Sequence, residues 1–372
     1  MERKELLVEV ERIVIKVGTS TITRGSSTAS KEMMDSIAKQ VKELKGQGKE
    51  VLIVTSGAIG IGLKAMGVKP NPNDIPIRQA ASSVGQSILM QKWIESFQQE
   101  GMLVAQILLT MDIYSDRDSV LNLNNTIDVL LANNVVPIFN ENDAVSIKEI
   151  GAVFGDNDTL SAMIASRVDA DLLVIMSDVE GLYNKNPNIY KDAKLISVVE
   201  EITKEVKGMA GDPVSGVGVG GMKTKIRAAE ICKDAGCRMI IVSSVVNDVI
   251  SKAVSGEDIG TIFIADTHIS KKRRWLKSAR PQGSIIVDEG AERAIRNHQS
   301  LLPIGIIGVS GHFVKGDVVG ILCGDITIAK GTTNYNSDEV EKIKSLHSSK
   351  IREVLGEKKR DDVILSDNMV IL

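Results

Sequence analysis

The stretch Val135–Arg167, VVPIFNENDAVSIKEIGAVFGDNDTLSAMIASR, reads as a buried strand, a polar loop and an amphipathic helix. The apolar run from Val135 to Phe139 is bounded by asparagines on both sides, as a strand covered on both faces would be. Asn140, Glu141, Asn142 and Asp143 begin where that strand is expected to end, and the carboxyl edge of a parallel sheet is where such a cluster meets a ligand. Gly155-Asp156-Asn157-Asp158 is a second turn signal, with Asp158 at the expected N-cap of a helix whose apolar positions are Leu160, Met163 and Ile164. Acid-amide clusters therefore frame one loop. Solvated turns would use the same residues, because Asn and Asp suit turns and caps for local reasons. The flanking elements decide between the readings.

On the N-terminal side, Arg12–Val17 (RIVIKV) is a predicted strand leading into Gly18-Thr19-Ser20, with Gly25-Ser26-Ser27 before a helix from about Ser30. Glycine and hydroxyl residues after a buried strand let backbone N–H groups approach phosphate oxygens. Lys16 adds a compact cation at that point. An ammonium buried without an anion is costly, so Lys16 either has an anionic partner or lies on an edge strand with its head in solvent. Glu50–Thr55 (EVLIVT) ends in Ser56-Gly57-Ala58-Ile59-Gly60-Ile61-Gly62, which lacks the G-x-G-x-x-G spacing of a dinucleotide fingerprint. Ser56 there either offers a hydroxyl to a small anionic substrate or belongs to an ordinary strand-to-helix connection.

A helical pattern from Ile77 to about Gln98, a strand Leu103–Leu109 and a helix Val120–Ala132 lead up to the quoted stretch. Beyond it, strand Leu172–Met176 ends in Ser177-Asp178, a rim that suits an adenine or ribose contact or a solvated turn. Glycines from Gly208 to Gly221 then precede Met222-Lys223-Thr224-Lys225, the opening of a helix to about Ala235, and a strand follows at Met239–Val242. Glycine amides, a helix N-terminus and a lysine together suit a triphosphate, although the spacing is not that of a Walker A loop. Short apolar strands alternating with helices predict an α/β fold with an open, mostly parallel sheet sandwiched by helices.

Composition bounds the function classes. The chain has 372 residues, 43% of them hydrophobic and 25% charged, which fits a soluble globular protein of two domains or one large one. A net charge of -3 argues against a protein that coats nucleic acid generally. Cys232, Cys237 and Cys323 lack metal-site spacing and suit a reducing cytoplasm. No segment reaches the roughly 20 apolar residues needed to span a bilayer, so a cytoplasmic location away from membranes is expected. All the histidines, His268, His298, His312 and His347, lie after residue 265. A kinase acting on an alcohol wants a base, whereas a carboxylate acceptor with a pKa of about 4 is already ionised at neutral pH. The absence favours an acyl-phosphate product, though an aspartate base would also serve.

The runs IVIKVGTS (13–20), VTSGAIGIG (54–62), FNENDAV (139–145), FGDND (154–158), SDVEGLY (177–183) and GVGGMKTK (218–225) resemble the glutamate 5-kinases of the amino acid kinase family. The resemblance spans essentially the whole chain. It implies transfer of the γ-phosphoryl group of ATP to the side-chain carboxylate of L-glutamate, giving L-glutamyl 5-phosphate, the first step of L-proline biosynthesis. By the same resemblance Lys16 and Lys225 neutralise charge on the phosphoryl group, Asp158 holds these lysines, and Ser56, Asp143 and Asn157 contact glutamate. Lys16, Gly18, Ser177, Asp178 and the loop Val219, Gly220, Gly221, Met222, Lys223, Thr224 and Lys225 match the nucleotide contacts, and Asp156 is expected to aid Mg2+ binding. Ser177 stands where the family often has threonine and keeps the hydroxyl, whereas Val219 and Lys223 stand where it often has threonine and serine. Feedback inhibition by proline, a homo-oligomer and glutamate-5-semialdehyde dehydrogenase as a partner are further expectations of the resemblance. Acetylglutamate, aspartate, carbamate and nucleotide-monophosphate kinases share the fold.

The expected organisation is a kinase domain over 1–265, a linker over 266–282 and a small C-terminal β-rich domain over 283–372. Lys271-Lys272-Arg273-Arg274-Trp275 is a basic run with an aromatic, followed by Ala279-Arg280-Pro281-Gln282-Gly283. Predicted strands follow at Ser284–Val287, Gly305–Val309, Val318–Leu322 and Ile326–Lys330, with a helix starting at Asp288-Glu289-Gly290-Ala291. This tail resembles a PUA domain, a module shared with RNA-modifying enzymes. RNA contact through Lys271 to Arg274 and a solvated linker are both open readings, and the acidic Asp288-Glu289 does not favour RNA. An RNA-associated protein with a sensor or scaffold α/β part is the competing reading of the whole.

Overall fold

Strands buried on both faces read as unbroken apolar runs, and the apolar runs up to Phe263 pair side by side in one mostly parallel sheet. The computed structural model describes residues 3–23, 29–71, 73–110, 117–145, 157–187, 189–210, 221–265, 272, 276, 279–356 and 360–372. The chain divides into two units, Met1–Thr267 and His268–Leu372. In the first, β1 (Arg12–Val17), β2 (Glu50–Val54), β3 (Val104–Leu109), β4 (Val136–Glu141), β5 (Leu172–Ser177), β6 (Val198–Val199), β7 (Arg238–Ser243) and β8 (Thr261–Phe263) form one sheet in the order β3-β4-β2-β1-β5-β7-β8-β6. Pairings are parallel except β7 with β8.

The pleat sorts side chains by parity. Ile13, Ile15 and Val17 enter a core shared with helices Lys31–Gly46 and Ile75–Gln99. Val14, Leu52, Val54, Leu173 and Ile175 enter the core on the other face, with helices Asn157–Arg167 and Met222–Asp234. Lys16 has the parity of Val14 and so points to that second face. It lies in a central strand, 9% exposed, which excludes the edge-strand reading.

Three local expectations are corrected. Asn140 and Glu141 belong to β4 itself, because the ladder with β3 continues through Leu108 and Leu109 opposite them. Asp158 lies inside the helix beginning at Asn157 and is not its cap; its carboxylate is drawn to lysines instead. The residues after Gly18 form a short helix, Thr19–Thr23.

The second unit holds β9 (Gly283–Val287), β10 (Ile306–Gly311), β11 (Val318–Cys323), β12 (Ile326–Thr332) and β13 (Met369–Ile371), ordered β10-β9-β11-β12-β13. It has a core of its own around Ile285, Phe313, Ile321 and Tyr335. Asp288 caps the helix Glu289–Arg296 by accepting from the Ala291 N–H at 2.7 Å, so its acidity serves a cap. Lys271, Arg273, Arg274 and Trp275 lie outside the described residues; Lys272 is exposed and donates to Asn368. Among the described residues no helix is long and apolar enough to cross a membrane, and Cys232, Cys237 and Cys323 are free thiols.

Candidate active site

The carboxyl ends of β4, β2, β1 and β5, four neighbours in the sheet, carry Asn140 and Asp143, Ser56, Lys16 and Gly18, and Ser177 and Asp178 respectively. In an open parallel sheet this rim is where ligands bind. Helices Asn157–Arg167 and Met222–Asp234 pack over the same face and point their first turns at it.

At the centre, Lys16 Nζ lies 2.7 Å from Asp158 Oδ1, and Lys225 Nζ donates to Asp158 Oδ2 at 3.0 Å. All three side chains are buried, and Thr224 Oγ1 donates to the same Oδ2 at 3.2 Å or to the Gly221 carbonyl at 2.7 Å. Burial alone would push the Asp158 carboxyl up, but Lys16 and Lys225 outweigh it and hold it at about 2, below the ordinary 3.8. Two cations share this one anion, so each ammonium keeps donor capacity toward the rim. Gly18 keeps that space open: a Cβ there would stand 3.3 Å from Lys16 Nζ.

Beside this centre runs an amide chain. Asn157 Nδ2 donates to the Thr55 carbonyl at 2.8 Å, Ser56 Oγ at 2.5 Å and Asn140 Oδ1 at 3.3 Å, and Asn140 Nδ2 donates to Gln86 Oε1 at 2.7 Å. Ser82 Oγ donates to Asp143 Oδ2 at 2.9 Å. On the other flank Ser177 Oγ donates to Asp178 Oδ1 at 3.0 Å.

The structure thus brings Lys16, Asp158, Lys225 and Thr224 into contact, joins Ser56 to Asn157, and pairs Ser177 with Asp178. Met222 opens its helix, half-buried against the second-face core, and Lys223 is exposed on the same turn. Asp156, Val219 and Gly220 lie outside the described residues. Sequence reasoning missed Ser82 and Gln86, buried polar residues four apart on helix Ile75–Gln99. The available signal was a polar pair at helical spacing inside an apolar helix face.

An open α/β sheet whose rim holds two buried lysines on a single shared aspartate defines, as a class, a protein that handles transferable anions. Residues 11–243 match the amino acid kinase family and residues 283–355 the PUA domain. The glutamate 5-kinase of Methanosarcina mazei is 52% identical over 379 residues, covering 100% of this chain and 98% of that protein. That of Methanococcoides burtonii is 47% identical over 368 residues (99% and 98%), and that of Thermoanaerobacter pseudethanolicus 44% over 365 residues (97% and 98%). The chain belongs to the amino acid kinase family, in its glutamate 5-kinase branch.

Proposed function

We propose that this protein transfers the γ-phosphoryl group of ATP to the side-chain carboxylate of L-glutamate, giving L-glutamyl 5-phosphate, the first step of L-proline biosynthesis. The observation that carries this reading is the Lys16–Asp158–Lys225 triad at the seam between the β4–β2 and β1–β5 halves of the rim. ATP is assigned to the β1–β5 half, with Lys16, Gly18, Ser177, Asp178 and the run Val219 to Lys225. Glutamate is assigned to the β2–β4 half, with Ser56, Asp143 and Asn157, and Asp143 pairs with its ammonium through a charge-assisted hydrogen bond.

Phosphoryl transfer spreads charge over the equatorial and bridging oxygens, so fixed cations and correct placement do most of the work. Asp158 fixes both ammonium groups without neutralising both. It is a poor base, being held at about 2 and clamped on both oxygens. A glutamate side chain, with a pKa of about 4.3, needs no base to become a nucleophile. The arrangement therefore suits a carboxylate acceptor better than an alcohol.

Mg2+ fits the hard-oxygen surroundings but not Asp158, whose oxygens both face ammonium groups. Among the described residues no group of three or more His, Cys, Asp or Glu could hold a metal alone. The ion would be held mainly by nucleotide phosphates, with Asp156 as the protein's contribution, and would supply neutralisation of phosphate charge.

The proposal extends to a cytoplasmic location, a homo-oligomer, proline as feedback inhibitor and glutamate-5-semialdehyde dehydrogenase as a partner. It also assigns 1–265 to catalysis, 266–282 to a linker and 283–372 to a PUA-like module with a structural or oligomer-tuning role. ADP release across a panel of amino acids and nucleotides, with hydroxylamine trapping of the acyl phosphate, tests the central claim. Glutamate-dependent ADP release with hydroxamate formation is expected. Release with another acceptor alone, or without hydroxamate, would overturn it. A salt-dependent gel shift with transfer RNA tests the competing RNA reading.

A further inference from the structure

Gln86 is 6% exposed, and its Nε2 has no hydrogen-bond partner among the described residues. The orientation of this amide is fixed from a distance. The Thr55 carbonyl can only accept, so the Asn157 atom at 2.8 Å from it is Nδ2. That nitrogen also donates to Asn140 Oδ1, which leaves Asn140 Nδ2 to donate to Gln86, so the Gln86 atom facing Asn140 is Oε1. Nε2 is therefore the atom turned away from Asn140, a buried donor left without an acceptor. A buried unmet donor is destabilising, and in a site it marks the place of an absent acceptor.

The site narrows the choice of acceptor. Ser82, one helical turn before Gln86 and about 6 Å along the axis, holds Asp143, the residue assigned to the substrate ammonium. The α-carboxylate shares its carbon with that ammonium, whereas the reacting side-chain carboxylate must lie at the Lys16–Lys225 end. We propose that Gln86 is a specificity-determining substrate residue whose Nε2 donates a hydrogen bond to the α-carboxylate of the amino-acid acceptor. The proposal rests on the glutamate kinase reading above. It adds helix Ile75–Gln99, through Ser82 and Gln86, to the acceptor side of the pocket.

Gln86→Glu separates this role from a merely structural one. The substitution keeps an oxygen to accept from Asn140 but turns the unpartnered donor into an acceptor. It should discriminate against an α-carboxylate and tolerate an α-amide, which can donate. The experiment measures kcat/KM for L-glutamate and for its α-amide, isoglutamine, in the full-length protein, with KM for ATP as control. The ratio of glutamate to isoglutamine should fall about 10-fold or more in the variant, the scale of one hydrogen bond to a charged group. Gln86→Met, similar in size with neither donor nor acceptor, should lower the same ratio by a smaller factor, and serves alone if Gln86→Glu does not fold. Equal loss on both substrates, or no change in the ratio, would overturn the proposal and leave Gln86 holding Asn140 or a water. Failure of the wild-type protein to phosphorylate glutamate would instead overturn the underlying reading, before any variant is compared.

Discussion

Asp158 is the residue on which the site's electrostatics turn. Its folded pKa lies below the ordinary aspartate value, so its contribution to stability is complete above about pH 4 and is lost as the pH falls through about 2. Replacing it by asparagine leaves both lysines buried without their anion, a loss of about 3–5 kcal/mol when a buried pair is broken. Urea midpoints of Asp158→Asn should therefore lie well below wild type at pH 7, and the gap should narrow between pH 4 and pH 2. A constant gap over that window would show that the carboxylate is not held by the lysines. The lysines themselves are separable, because either alone still leaves Asp158 an ionic partner. Lys16→Ala and Lys225→Ala should each lower kcat by about 100-fold, the scale of a lost transition-state donor, while circular dichroism stays that of the wild type. Near-normal turnover in either variant would remove that lysine from the chemistry.

At the scale of elements, the site depends on how closely helix Ala58–Ala65 approaches helix Ile75–Gln99. A Cβ on Gly62 would stand 1.7 Å from the Ala81 carbonyl oxygen, and one on Gly85 1.8 Å from that of Ala58. Both contacts are backbone, so neither can swing aside. Gly62→Ala or Gly85→Ala should force the pair apart, destabilise the protein by about 3 kcal/mol, and raise KM for glutamate more than KM for ATP, because the displaced helix carries Ser82 and Gln86. Equal effects on both constants would detach this helix from the acceptor side. Gly62 also shows where sequence reading stops. In sequence it belongs to a glycine-rich turn of the kind that cradles anions, yet its work is helix contact, which needs the partner helix to be visible. The parallel strands were legible because strands buried on both faces leave apolar runs, and Lys16 stood out against one. β6 and β8 were not, since two or three residues carry no period. Ser82 and Gln86 left only a polar pair at helical spacing on an apolar face, a signal that acquires a role once the sheet rim beside them is placed.

At the scale of the whole molecule, each unit closes its own core. The two cores flanking the large sheet draw every buried apolar member from residues up to Phe263, and those of the second unit begin at Leu276. The triad, the amide chain and the rim residues all belong to the first unit, and its sheet carries strands from Arg12 to Phe263. Nothing in the proposed transfer uses a side chain beyond Thr267. A chain ending there should therefore fold cooperatively and release ADP with glutamate at a rate of the same order as the full chain. If the second unit tunes assembly, the shortened chain should differ in sedimentation and in its response to proline before it differs in kcat. A soluble, cooperatively folded 1–267 chain without glutamate-dependent ADP release would mean that residues of the second unit complete the active site. The division of labour drawn from the triad would then have to be redrawn across both units.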